Sequence, residues 1–574
     1  MPVYPLNQNR QIIVNNADDF NGNVIEAFNV ALDNKLSTNS QRGEIRMGTK
    51  MTPHTVTADI ATIGNISQFL FTTADHSTGK FWAIDAVNAY KTAALSSKFA
   101  KDALTNTPTP AGDMIVFGQS GGYDRLIVAT STDLAMLNSA TAWNATWWTS
   151  TLAQSAFTSS NVRLAVFKQP FVLIIGDGNV IHTIDQSLNV TASRVTLPPN
   201  YQIDWIRTTE KTIFIGTHDS NYGSSMVWVY DIFNETIIPY PLTVYGNGNK
   251  LSGIPLIHEE NLFLLNYDGR LKVFNGGGFD TVSESPLSKK NRPLNLFGRN
   301  GGMVYKNKFY FVLGGLSPYL PDGVYVYDTI DNNFYCSYAI CENNGDSGQY
   351  NLAACGGIFT DGTYIVCGAE DNAGNYNGIY DDGGLFSPTL HYNSYFITPR
   401  IQSSNGAINK DVKKMVVKYR MTGSDTIMMK YRTSLLLGDN DVGNGAIING
   451  IWTDTKTITT TGDLSLAAAG FEFIILDGQN AGLTAFITSV TLSSGTYTVV
   501  LDTAIGLASG ASNFLITNFL KIGQITSTSV QSDELSIPSP NGASEWIQFK
   551  AELQGASPII TDIIIEYKDK NVLS

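Results

Sequence analysis

Met226-Val-Trp-Val-Tyr-Asp-Ile-Phe-Asn234 and Gly323-Val-Tyr-Val-Tyr-Asp-Thr-Ile-Asp331 are nearly one phrase written twice, 97 residues apart. In each, side chains alternate along a strand that closes on Asp, whose carboxylate can bond the backbone just beyond and turn the chain. The closing position recurs as Asp85, Asn138, Asp185, Asp231, Asn275, Asp328 and Asp381, at separations of 53, 47, 46, 44, 53 and 53 residues. One four-stranded propeller blade needs a period of this size. Core strands are read at Gln68–Thr73, Asp124–Thr130, Phe171–Gly176, Lys211–Thr217, Asn261–Asn266, Lys308–Gly314 and Thr363–Gly368. Second strands follow at Lys80–Asp85, Val180–Asp185, Met226–Asp231, Leu271–Asn275 and Gly323–Asp328. Runs such as Phe171-Val-Leu-Ile-Ile175 break strict alternation, as they should where neighbouring blades cover both faces. The repeat predicts an all-β chain with a β-propeller of about seven blades over 56–384.

Working outward, residues 1–55 stand outside the repeat and are polar and Asn-rich, as in Asn15-Asn-Ala-Asp-Asp-Phe-Asn-Gly22. Such an arm cannot bury much apolar surface alone and is expected to lie along a partner subunit or the propeller's outer edge. Asn23–Asn34, with Val24, Ile25, Phe28, Val30 and Ala31, comes nearest to an amphipathic helix. Beyond 384 the period is lost and strands lengthen: Lys413–Arg420, Asp425–Arg432, Glu545–Glu552 and Ile559–Tyr567. Apolar residues at every second place, with Lys, Arg or Glu between, predict antiparallel strands with one wet face. The reading is a C-terminal β-sandwich formed by 385–459 and 520–574. Residues 460–519 differ in texture, rich in Ala, Gly, Ser and Thr, with strands at Phe471–Leu476, Thr484–Leu492 and Thr496–Asp502. They are expected to form a small β-barrel inserted at a sandwich loop and protruding from it.

At 574 residues the chain exceeds what one core can organise. It is 43% hydrophobic and only 15% charged, which predicts packed domains; 52 Gly, 26 Tyr and 28 Phe favour strands and tight turns. The net charge of −13 argues against gripping DNA; it reads first as solubility, with a surface past which nucleic acid slides the alternative. The start, Met1-Pro-Val-Tyr-Pro-Leu-Asn-Gln8, lacks the head and apolar core of a signal peptide, and no run reaches membrane-helix length. The expectation is cytoplasmic synthesis without a membrane anchor.

Chemistry is sparse. His54, His76, His182, His218, His258 and His391 are scattered, with no pair at ligand spacing. Cys336, Cys341, Cys355 and Cys367 follow a C-x4-C-x13-C-x11-C pattern, which lacks the close pairs of a zinc knuckle and reads as small buried strand residues. The stretch from Thr217 to Trp228 is similar to the Asp-box turn of sialidase-like propellers, with one residue extra and a single occurrence. Asp439–Gly445 and Glu370–Asn375 cluster oxygens, but neither has the Glu that completes an EF-hand loop. Trp143, Trp147 and Trp148 read as core or subunit contact, with sugar stacking the alternative. No nucleophile elbow, P-loop or dinucleotide fingerprint occurs. No residue is therefore assigned as catalytic, cofactor-binding or metal-ligating, no cofactor is expected, and the chain is read as not an enzyme.

The layout resembles the β-propeller tail proteins of tailed bacteriophages, which form nozzles, hubs or tail-tip fittings. Arg42-Gly-Glu-Ile-Arg-Met-Gly-Thr-Lys50 is similar to the stretch that leads into those propellers, and Gly276-Gly-Gly-Phe-Asp-Thr-Val-Ser-Glu-Ser285 resembles their inter-blade connection. The ending matches in texture through Phe396-Ile-Thr-Pro-Arg-Ile401, Trp546-Ile-Gln-Phe-Lys550 and Pro558–Tyr567. The likeness implies a virion structural component, a homohexameric ring in the tail, assembled in the host bacterial cytoplasm. Its implied partners are other tail proteins, such as an adaptor and fibres or spikes, with DNA passing during ejection without sequence-specific binding. A receptor- or carbohydrate-binding tail-tip protein is the alternative.

Overall fold

The computed structural model describes residues 3–4, 26–28, 30–33, 44–47, 49–54, 65–72, 81–118, 125–137, 142–221, 224–242, 252–284, 296–314, 322–329, 333–340, 352–371, 377–382, 389–390, 394–397, 401–402, 408–423, 425–433, 448–475, 483–528, 532–537, 546–555 and 558–571. Regular structure is almost all strand; among the described residues the exception is a π-helical turn at Trp147–Thr151.

Five four-stranded antiparallel meanders follow in chain order. Sheet I is Gln68–Phe71, Phe81–Ile84, Ala89–Thr92 and Ala100–Lys101, and sheet II is Met114–Phe117, Arg125–Ala129, Leu134–Leu137 and Trp143–Asn144. Sheet III is Arg163–Lys168, Phe171–Asp177, Val180–Asp185 and Val190–Thr196. Sheet IV is Tyr201–Thr208, Ile213–Asp219, Ser225–Asp231 and Thr236–Leu242, and sheet V is Ile254–His258, Asn261–Leu265, Arg270–Phe274 and Phe279–Glu284. Sheet VI contains Leu296–Tyr305, Lys308–Gly314, Gly323–Asp328 and Asn333–Ala339, with Thr49–Lys50 and Thr389–Leu390 added at its edge. Sheet VII pairs Leu352–Thr360, Ile365–Asp371 and Asn377–Asp381 with Thr52–Pro53 as its outer strand.

The first strands of I to VII adjoin one another in order, and that of VII adjoins that of I. An apolar core fills each gap. Leu126 and Val128 face sheet I beside Trp82 and Trp143, while Ile127 and Ala129 face sheet III beside Leu173 and Ile175. Strands apolar on both faces are thus explained, and the arrangement is consistent with a propeller. At the meeting of VII and I the backbones touch: Gly357 N–H donates to Ile66 O at 2.9 Å. A Cβ on Gly356 or Gly368 would fall 1.9 or 2.0 Å from that same oxygen, so only glycine fits.

Of the closing residues, Asp85, Asp185, Asp231 and Asn275 turn the chain as expected, and Asn138 lies outside the described residues. Asp231 Oδ1 accepts from Phe233 N–H and Asn234 N–H, Asp185 from Ser187 and Asn189, and Asn275 from Gly277 and Gly278. Two expectations are corrected. The strands read as core strands are second in their sheets, except Gln68–Phe71, which is first. Asp85 closes the second strand of sheet I, as read, whereas Asp185, Asp231, Asn275 and Asp328 close third strands, because the same turn chemistry serves any tight turn. Gly276–Gly278 is a turn and Phe279–Glu284 the fourth strand of sheet V, so that stretch is no inter-sheet connection.

The arm folds back on its own chain. Val3–Tyr4 and Glu44–Met47 pair with Ile559–Asn571, and Glu26–Phe28 pairs with Ser394–Ile397. Glu26–Phe28 and Val30–Asp33 are strands where the sequence came nearest to helix; three or four residues at a sheet edge override the weak helical period. Two six-stranded sheets contain the long C-terminal strands: one has Ile408–Arg420, Ser532–Ser536 and Ile559–Asn571, the other Thr426–Thr433, Leu520–Ile525 and Trp546–Gln554. Met415, Val417 and Ile563 of the first share a core with Met429, Tyr431 and Phe549 of the second.

A closed six-stranded barrel runs in the order Ile448–Asp454, Thr457–Thr460, Thr496–Leu501, Thr484–Ser493, Glu472–Ile475 and Gly510–Thr517. It begins ahead of the expected boundary at 460, because Ile448, Trp452 and Ile458 already point into its core. The barrel does not simply protrude. It covers the other face of Thr426–Thr433 and Trp546–Gln554, so Lys430, Lys550 and Glu552 of the expected wet face are buried.

Candidate functional site

The densest charged cluster lies where the first strands converge. Arg163 opens the first strand of sheet III, Asp204 and Arg207 lie in that of IV, Arg299 and Asn300 in that of VI, and Asp113 directly precedes that of II. Two irregularities aim these side chains. Pairing in sheet IV skips from Ile203 to Trp205, which turns Asp204 out of the ladder. Pairing in sheet VI skips from Phe297 to Gly302, releasing Gly298-Arg-Asn-Gly301 as an inward bulge. The bulge packs so closely that a Cβ on Gly298 would sit 2.6 Å from Gly356 O.

From there Arg299 Nε stands 3.3 Å from Asp113 Oδ1, a charge contact whose angle falls short of a hydrogen bond. Arg207 Nη2 donates to Asn300 Oδ1 at 3.0 Å, and Asn300 Nδ2 donates to Ser67 O at 3.4 Å. Sheet VI thereby touches sheets II and IV and the residue preceding sheet I across the enclosed space. Between neighbours, Arg163 Nε donates to Asp204 O at 2.7 Å and Leu164 N–H to Asp113 Oδ2 at 3.1 Å. Asp204 Oδ1 meets His218 Nδ1 at 2.7 Å, and its Oδ2 accepts from Ser252 N–H and Oγ. Gln68 exchanges two bonds with the Met114 backbone. Burial would raise the Asp113 carboxyl, but Arg299, Arg163 and Arg207 outweigh it and hold it below the ordinary range. Burial, then Arg299 beside it, pushes the Arg163 guanidinium down to about 10.

A second cluster joins barrel to sheet. Glu472 Oε1 accepts from Lys430 Nζ at 2.6 Å and Lys550 Nζ at 2.7 Å, and its Oε2 from Thr517 Oγ1 at 2.7 Å. Glu552 Oε1 completes the square, 2.5 Å from Lys430 and 3.2 Å from Lys550. Burial would raise the Glu472 carboxyl, yet Lys430 and Lys550 hold it far below its usual range; burial would lower Lys550, yet Glu472 and Glu552 raise it.

The residues singled out from sequence are dispersed. His54 Nδ1 meets Asp381 Oδ2 at 2.7 Å and its Nε2 meets Ser97 O at 3.0 Å, tying the arm to sheets VII and I. His182 accepts from Ser193 N–H, and burial lowers its pKa. His258 packs edge-on to Phe309; His76 and His391 lie outside the described residues. Trp143 is buried between sheets I and II and donates to Asp102, while Trp147 and Trp148 fill the gap between II and III. Cys355 and Cys367 are buried thiols of sheet VII; Cys336 falls on the fourth strand of sheet VI and Cys341 outside the described residues. Asp219 takes Asn221 N–H in an ordinary turn. Residues 439–445 and 372–376 lie outside the described set. Among the described residues no group of three or more His, Cys, Asp or Glu is placed to hold a metal. The converging arginines escaped the sequence reading because Arg163, Arg207 and Arg299 come from three separate repeats; charge inside otherwise apolar strands, and Gly298-Arg-Asn-Gly301, were the available signals.

No protein-family profile and no curated protein matches the chain. Among solved structures it is similar to the computationally designed Ika8 protein, with 11% identity and TM-score 0.32 over 55% of this chain and 96% of that one. It is also similar to BBS1N, solved in complex with ARL6DN, with 13% identity and TM-score 0.30 over 58% of this chain and 94% of that one. Neither likeness is strong enough to inform the reading of this chain.

Proposed function

We propose that the chain is a seven-bladed β-propeller closed by its own N-terminal segment, followed by a β-sandwich that carries the inserted barrel. We infer from this architecture a structural component of a tailed-phage virion, a nozzle or hub that forms part of the DNA-ejection conduit as a homohexameric ring. It would contact an adaptor and fibres or spikes.

One observation carries the structural role. The buried charges lie at junctions between sheets and between barrel and sheet, where they are engaged by one another and by the backbone. Buried ion pairs add little net stability over apolar packing, but breaking one is costly, so they suit parts that must hold one relative geometry. Electron cryo-microscopy of the assembled protein and of particles that contain it tests the role. A closed ring of copies in a tail supports it; a monomer that no particle contains overturns it. A tip protein that binds receptor or carbohydrate is the second reading, favoured by Ile451, Leu466 and Leu492 exposed on the barrel. Saturable glycan binding by the isolated protein, lost in Ile451→Ser, would favour that reading instead.

A further inference from the structure

We propose that the space enclosed by the first strands binds one small oxyanion of the phosphate or sulfate type, held by Arg299, Arg207 and Arg163. The inference does not depend on the tail reading. Three guanidinium groups surround the single carboxylate of Asp113. Asp204, the other acid at hand, acts on Arg163 while its oxygens are engaged by His218 and Ser252, which leaves three guanidinium groups against two carboxylates. The cluster is therefore short of negative charge in a place where water is largely excluded, and an unbalanced buried charge is costly. The like-charge pressure shows at Arg163, held down by burial and by Arg299.

The donors fit the ligand. Arg299 makes no hydrogen bond among the described residues; its Nε is buried and its side chain 22% exposed, so the guanidinium sits at the margin of the cluster with its fork unused. Arg207 and Arg163 each spend donors on backbone carbonyls, Ile206 O at 2.9 Å and Asp204 O at 2.7 Å, which fixes both groups in place. Planar forked donors match an oxyanion better than a spherical halide. Contacts from sheet VI across to sheets II and IV stand in the way of a nucleic-acid strand, so the ligand would be small.

Equilibrium dialysis of the full chain against labelled inorganic phosphate, at fixed chloride and ionic strength, tests the site. The expected result is one phosphate per chain, displaced by sulfate. Arg299→Gln should weaken binding at least about tenfold, and Asp113→Asn, which removes the competing carboxylate, should strengthen it severalfold. Should Arg299→Gln fail to fold, Arg299→Lys keeps the charge without the fork and should bind more weakly than the native chain. No saturable phosphate uptake by the native chain overturns the proposal. So does uptake that these substitutions leave unchanged.

Discussion

Glu472 shows how one carboxylate can join two domains. Its oxygens take Lys430, Lys550 and Thr517, so the barrel and the sheet beneath it share one buried network. Glu472→Gln keeps the shape and removes the charge, leaving two ammonium groups facing Glu552 alone. The expected cost is about 3–5 kcal/mol, the usual penalty for breaking a buried pair from one side. Urea unfolding, read with hydrogen exchange along Glu472–Ile475, checks this; a loss below about 1 kcal/mol would mean that the network is solvated and weak. The pH dependence has a definite sign. The Glu472 carboxyl is held below its ordinary 4.5, so its contribution is complete above that pH and is lost as pH falls from there towards the depressed value. Lys550 is raised above its ordinary 10.5, so its contribution is complete below that pH and is lost as pH climbs through the raised value. Acid should therefore loosen the barrel from the sheet, and hydrogen exchange at pH steps below 4.5 along Glu472–Ile475 reads this directly.

At the scale of elements, the arm supplies the outer strand of sheet VII. Thr52–Pro53 pairs with Asn377–Asp381, and His54 N–H donates to Ile379 O at 2.8 Å while its ring reaches Ser97 of sheet I. Deleting residues 1–55 should expose the Asn377–Asp381 edge, accelerate amide exchange there and promote edge-to-edge aggregation. Loss of oligomers with sheet VII still protected would instead mean that the arm acts between copies. The sequence disclosed the third strands well, because each couples alternation to an Asp or Asn turn, as Ser225–Asp231 does with Asp231. First strands other than Gln68–Phe71 were hidden. Tyr201–Thr208 carries Asp204 and Arg207 among its apolar residues, and Leu296–Tyr305 is broken by its bulge, so neither keeps a period of two. The alternation Lys430, Arg432 and Lys550, Glu552 was legible but its meaning was not. A charged face reads as wet until another domain is known to cover it, and coverage by the barrel is a tertiary fact.

For the whole molecule, the question is where DNA would pass if the chain forms a conduit. The space within the sheet array is crossed by Arg299 to Asp113 and by Asn300 to Arg207 and Ser67 O. A duplex threading the array would have to break these contacts and strand three guanidinium groups from Asp113 and Asn300. A path between copies in a ring requires none of that. The charge of −13 acts in the same direction: the arginines that could hold phosphodiester are turned inward, while the excess acid on the remaining chain repels the backbone. The isolated protein should therefore leave duplex DNA unretarded in a native gel even at about 50 mM salt, where basic binders are strongest. In a map of an assembled tail, DNA density should run in the lumen between copies, with Arg299 and Asn300 in place inside every array. Retardation at low salt that vanishes in Arg299→Gln would show the cluster open to nucleic acid. Density through an array would require the bulge at Gly298–Gly301 to swing aside, and either result would return the conduit to the interior of the single chain.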